Sequence, residues 1–128
     1  MLDKRAINSG IYHVELLMRG KDERLSLYIG ESAYMVKRCG EHLYNFLADE
    51  SYFGLNKENW ANEDLVLKFS VLKSLQSKET STQLDDEEKL YIQAYKPLTQ
   101  YADGKKGDNQ LDDRVEIVQR AITNIFGL

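Results

Sequence analysis

With 128 residues the chain is sized for one domain, and folding at that length removes roughly two-thirds of the surface the unfolded chain exposes, so a single core suffices. Cys39 is the only cysteine, which excludes an intrachain disulfide and suits a reducing cytoplasm; no apolar run has the length of a membrane span, and residues 1–5 lack the apolar stretch of a signal peptide. The net charge of −4 runs against a general polyanion binder, but residues 1–48 hold seven Lys or Arg against six Asp or Glu, while residues 49–128 hold ten against fifteen. A phosphate-facing surface is therefore expected in the first third.

Ile11 to Met18 reads as a strand, Arg19 to Arg24 as a charged turn, and Leu25 to Ile29 as a second strand, together a hairpin. Ser32 is a candidate cap for a helix running to about Ala48, with an apolar stripe of Met35, Cys39, Leu43, Phe46 and Leu47. Arg38 and His42 lie one turn apart along the edge of that stripe. Residues 49–63 read as an irregular segment containing Tyr52, Phe53 and Trp60, and Leu65 to Leu72 as the third strand.

A second helix is expected from near Leu84 to about Lys96, because Pro97 disfavours helical geometry in the residue before it. Leu84, Tyr91, Ile92 and Tyr95 share one face of it, with Glu88 in the middle, an unusual place for a carboxylate that resists burial unless compensated. A last helix from Leu111 carries Val115, Val118, Ile122, Ile125 and Phe126 on one face. Asn109 or Asp112 is its candidate cap, and Glu116 can pair with Arg120 across a turn.

Gly10-Ile11-Tyr12 and Tyr28-Ile29-Gly30 belong to the two hairpin strands; ten residues after Tyr28 comes Arg38, preceded by Lys37 and followed one turn later by His42. Glu88 then opens a run with Ile92, Pro97 nine residues on and Gln100 twelve residues on. Over Gly10 to Gln100 this constellation resembles the GIY-YIG nucleases, in which Gln100 stands where asparagine is usual and Glu31 where many members carry lysine.

The resemblance implies an α/β fold: a small three-stranded antiparallel or mixed sheet flanked by helices, ββαβα, with an added C-terminal helix. The whole of 1–128 would form one domain, with a core over about 8–100 and the last helix over about 109–126. It implies a metal-dependent endonuclease that hydrolyses phosphodiester bonds, with DNA the first candidate substrate and one Mg²⁺ or Mn²⁺ per site. Tyr12, Tyr28, Arg38, His42 and Glu88 would be catalytic and face one concave site, with Glu87 pointing elsewhere.

In that scheme Tyr12 is the base or the group that orients water, His42 its proton relay, and Tyr28 a phosphate or water contact. A tyrosine is a poor base in water, with a reference pKa of about 10, and a metal and an arginine nearby would improve it. Arg38 offers a planar fork to phosphate oxygens, and Glu88 is the metal ligand, since Mg²⁺ commonly takes one or two protein carboxylates and keeps several waters. Arg19, Lys21, Arg24, Lys37 and Gln100 are the candidate nucleic-acid contacts. Sequence specificity would come from residues 49–63, a homodimer or a partner protein. The alternative, favoured by the acidic balance, Glu31 and Gln100, is a non-cleaving nucleic-acid-binding or protein-interaction module on the same scaffold. Cys39 is read as packing.

Overall fold

A computed structural model describes residues 3–75, 81–101 and 111–128, without the side chains of 81–83. The chain is a mixed α/β structure. Strands β1 (Ser9–Met18), β2 (Arg24–Ser32) and β3 (Leu65–Leu75) form an antiparallel sheet in the order β2-β1-β3. Four helices accompany it: α1 (Met35–Ala48), α2 (Lys57–Ala61), α3 (Ser81–Tyr95) and α4 (Arg114–Phe126). Among the described residues no helix is long and apolar enough to cross a membrane.

β1 is hydrogen-bonded along both edges, and its alternation sorts the core into two layers. Tyr12, Val14 and Leu16 face the layer that holds Met35 and Phe46 of α1, Phe53, Leu55, and Val118, Ile122 and Phe126 of α4. Ile11, with Ile29 of β2, faces the layer that holds Leu84 and Ile92 of α3. Register shifts at Val14/Glu15 against β2 and at Ile11/Tyr12 against β3 insert one residue into each partner strand.

Several expectations change. The third strand runs on to Leu75, and residues 49–63 are not simply irregular. They contain α2, capped by reciprocal Asn56 and Asn59 side-chain bonds, and they place Phe53, which is fully buried, in the main layer. Ser32 does not cap α1; its hydroxyl accepts from Tyr34 N–H one turn early, and Tyr34 is the cap residue. Neither does Asp112 cap α4, which begins after Asp113 with no side-chain cap, and Asn109 lies outside the described residues. Glu116 and Arg120 do pair, at 2.9 Å on an exposed face.

The apolar stripe of α1 also divides. Met35, His42 and Phe46 are buried, whereas Leu43 is 49% and Leu47 87% exposed. A polar side chain can be buried where its polar atoms are bonded. His42 has ring and hydroxyl partners inside, so it takes the place the leucines were expected to fill. Tyr95, Val115 and Ile125 are likewise more exposed than a single apolar face would have them.

α3 stops where Pro97 requires. Lys96 adopts φ of 50°, in the left-handed region, and its N–H still bonds the Ile92 carbonyl. The chain then runs beside the outer edge of β2. Leu98 N–H donates to the Ser26 carbonyl, Thr99 N–H and hydroxyl to the Leu27 carbonyl, and Gln100 closes both groups of Ile29 through its side-chain amide.

On the α3 face a second histidine is enclosed. His13 is buried, its Nε2 lies 2.7 Å from the Ser26 hydroxyl, and the Tyr95 ring covers it at 4.6 Å between centroids. Burial holds its pKa below the ordinary 6.5, and the nearby Glu15 carboxylate opposes that only in part. The unfolded chain therefore binds a proton near 6.5 while the folded chain does not. This contribution is present above that pH and is lost as pH falls toward the native value. Replacing His13 with Gln is expected to flatten the fall in urea midpoint between about pH 7.5 and 5.5 relative to wild type. An unchanged slope would place the titration elsewhere.

Candidate active site

The two tripeptides come together because β1 and β2 pair with Tyr12 opposite Gly30 and Val14 opposite Tyr28. Both glycines mark close approaches. A Cβ at Gly10 would overlap the Lys73 carbonyl of β3 and crowd Met35, and one at Gly30 would run into the phenol of Tyr12. Gly30 thus leaves room for the Tyr12 ring to lie across β2, stacked 6.2 Å from the ring of Tyr28.

His42 reaches the tyrosines from α1. Its Nε2 is 2.6 Å from the Tyr12 hydroxyl, and its ring lies 5.6 Å from Tyr12 and 5.3 Å from Tyr28. Nδ1 is 2.9 Å from the hydroxyl of Tyr52, which in turn accepts from the Asn45 side-chain amide. Tyr12, His42 and Tyr52 therefore form a continuous line of polar atoms inside an aromatic layer. Tyr12 and Tyr28 are each 4% exposed and His42 1%. Because each ring nitrogen meets a hydroxyl, the imidazole is buried without an unsatisfied polar atom.

A neutral imidazole carries one proton, so two arrangements are open. With the proton on Nδ1, that nitrogen donates to Tyr52 and Nε2 accepts the Tyr12 proton. With the proton on Nε2, the Tyr12 oxygen accepts and its own proton is free to point elsewhere. In the first arrangement Nε2 can take the Tyr12 proton to give an imidazolium, whose Nδ1–H stays bonded to Tyr52. Tyr52 lies in the segment read as irregular, and its role had no sequence signal beyond its being aromatic.

The other residues singled out lie around this cluster at different depths. Arg38, one turn before His42, is 24% exposed in its side chain and pairs with Glu41 at 2.9 Å. Lys37 beside it is exposed. Glu88 is 6% exposed on α3, between Leu84 and Ile92 in sequence, and the helix that carries it packs on the face of the sheet opposite Tyr12 and Tyr28, so the expected single concave site is not formed: α3 follows Ile11 and Ile29 to the other layer, and Glu88 goes with it. Glu87 points away from that interior position and pairs with Lys73 of β3.

Gln100 turns inward: Ile29 N–H donates to its Oε1 at 2.8 Å, and its Nε2 donates to the Ile29 carbonyl at 2.7 Å. Its amide thus holds the central residue of the second tripeptide. Arg19, Lys21 and Arg24 are exposed at the hairpin end of the sheet. Seven residues of strand separate Arg19 from Tyr12, about 23 Å at the usual rise. They sit apart from the tyrosines, within reach of a long polyanion but not of the same phosphate.

Beside Tyr12 a cavity of about 200 Å³ opens between Met35, Val36 and Cys39 of α1 and Phe69 and Val71 of β3, with Asp3 among its lining residues. Burial pushes the Cys39 thiol up, which suits packing and not nucleophilic attack. Among the described residues no three His, Cys, Asp or Glu side chains converge as a metal cluster. No family model matches the chain, and no curated protein or solved structure matches it.

The contact beneath Tyr12 gives a direct test of the cluster. Gly30→Ala should force the Tyr12 phenol away from His42 and destabilise the fold by roughly 1–3 kcal/mol, the usual range for overpacking. Urea unfolding together with the ¹⁵N shifts of the His42 ring reports both effects. A variant of wild-type stability with unchanged shifts would mean that the ring is not wedged there.

Proposed function

We propose that this chain is a metal-dependent endonuclease that hydrolyses phosphodiester bonds in nucleic acid, DNA in the first instance, in the manner of the GIY-YIG nucleases it resembles. The single observation that carries the reading is the 2.6 Å contact between the Tyr12 hydroxyl and His42 Nε2. Two residues chosen from motif spacing, 30 positions apart, meet through the atoms that proton transfer requires.

In this mechanism Tyr12 orients the attacking water and passes its proton to His42, with Tyr52 holding the far side of the imidazole. The relay lets a phenol serve where it would otherwise be too weak a base. Tyr28 positions the phosphate or the water. Arg38 sets its guanidinium against the phosphate oxygens as charge develops. A carboxylate oxygen is a hard donor that suits Mg²⁺ or Mn²⁺, so Glu88 is the residue that would hold the cation, and because α3 packs on the other face of the sheet this role requires the carboxylate to reach the phosphate round the sheet's edge. Lys37 and the hairpin-loop bases hold the backbone further along.

A second reading is favoured by a specific observation. The tyrosines and His42 are nearly fully buried, and α3 with Glu88 packs on the other face of the sheet. A scaffold that binds nucleic acid or protein without cleaving it fits that arrangement. Nicking of supercoiled plasmid with and without Mg²⁺, beside a binding assay, separates the two.

For the nuclease, Glu88→Gln is expected to abolish metal-dependent nicking with the fold intact. Arg38→Ala should lower turnover by roughly 10²–10³. Wild-type nicking by Glu88→Gln would remove the carboxylate from the chemistry, and binding without nicking by the wild type would favour the scaffold. If the hairpin-loop bases touch the backbone, the triple change Arg19→Ala, Lys21→Ala and Arg24→Ala weakens binding and reduces the log–log salt slope by roughly one per lost contact. Unchanged affinity and slope would show that the loop stays off the nucleic acid.

A further inference from the structure

Helix α1 carries a second apolar seam that the core does not use. Val36, Gly40, Leu43 and Leu47 recur at intervals of four, three and four, the spacing of a coiled-coil seam. They face solvent: Val36 is 39% exposed, Leu43 49% and Leu47 87%, and Tyr44 beside them is 71% exposed. Exposed apolar residues grouped on one helix face can form an interaction surface.

The same surface contains both a projection and a recess. Leu47 stands out from the end of α1. Gly40, Leu43, Tyr44, Glu50 and Trp60 border a groove of about 680 Å³, and the base of Leu47 forms part of its wall. A Cβ built on Gly40 meets nothing within 4 Å, so no contact inside the chain asks for a glycine at this mid-helix position. The absence of a side chain there lets another helix come close. The charges are also polarised, with Lys37 at the start of the helix and Glu50 just beyond its end, both exposed.

We propose that the outer face of α1 is the interface of a homodimer, in which two copies of the helix pack antiparallel about a two-fold axis. Seating Leu47 of each copy over Gly40 of the other fixes the register. That same register sets Lys37 against the other copy's Glu50 and Leu43 against its Tyr44, and Trp60 closes the side of each recess. A surface that supplies its own knob, its own hole and its own complementary charges is what an isologous contact requires. At about 100° per residue the seam lies roughly 170° round the helix from Arg38, so the contact leaves that side chain uncovered, but it takes Lys37 away from the phosphate contacts of the nuclease reading.

Sedimentation velocity of the full chain from low to high micromolar concentration tests this. The wild type is expected to be a dimer. Leu47→Glu changes a side chain with almost no contacts in one copy, so it should keep its circular dichroism and become monomeric. Lys37→Glu should raise the dissociation constant about tenfold or more, and adding Glu50→Lys should restore the wild-type value. A monomeric wild type, a dimer indifferent to Leu47→Glu, or a charge reversal that the second reversal does not rescue overturns the proposal.

Discussion

Ile11 and Tyr12 are neighbours on the central strand, and the pleat sends them into opposite layers of the molecule. The rest of the structure is built on that alternation. β1 is paired on both sides, so its residues cannot shift to suit either layer without breaking two ladders. A slip of one residue would bring Ile11 beneath α1 and move Tyr12 to the α3 face, away from His42. Gly10 and Gly30 enforce the same registration sterically, because each is pressed by a neighbouring group where any other residue would have to move it.

Once Tyr12 is fixed, the main layer becomes a polar chain set in an aromatic matrix. His42 is surrounded by the rings of Tyr28, Tyr52 and Phe53 at centroid distances of 5.3–5.7 Å, and its two nitrogens provide a polar route through them. Residues 51–54 are held there from outside by α4. Arg114 donates to the carbonyls of Ser51 and Tyr52, and Gln119 donates to the Gly54 carbonyl while bonding both Asn56 and Asn59. The last helix therefore supports the Tyr12–His42–Tyr52 line, although it lies far from Tyr12 in sequence and contributes no atom to it.

The strands, the first helix and the stop before Pro97 were legible because each rests on local signals: alternation, helical spacing, or the restriction that proline places on its predecessor. The motif spacing identified Tyr12 and His42, and the burial of Glu88 followed from its place on an apolar helix face. What escaped reading was non-local. Tyr52 and Phe53 sit in a segment without periodicity, and only the three-dimensional course of the chain makes them core residues. The division of the α1 stripe could not be seen either, since leucine outranks histidine in hydrophobicity and only a phenol on another strand makes the histidine the better occupant. Gln100 was expected to contact nucleic acid, while its side-chain amide bonds the backbone of Ile29, 71 residues earlier.

That last residue bears on how the sheet is bounded. An exposed strand edge is a template on which another chain can pair. At β2 the edge is occupied by 98–100, ending in a side-chain amide that presents one donor and one acceptor to Ile29 as a neighbouring strand would. A side chain has no successor along the ladder, so pairing terminates there instead of continuing. Local opening that lifts 97–100 away would release the Ser26, Leu27 and Ile29 backbone together and expose a row of unpaired groups flanked by Leu25, Leu27 and Ile29. The tendency of this protein to aggregate would then follow the opening of that short segment, well below the free energy of global unfolding.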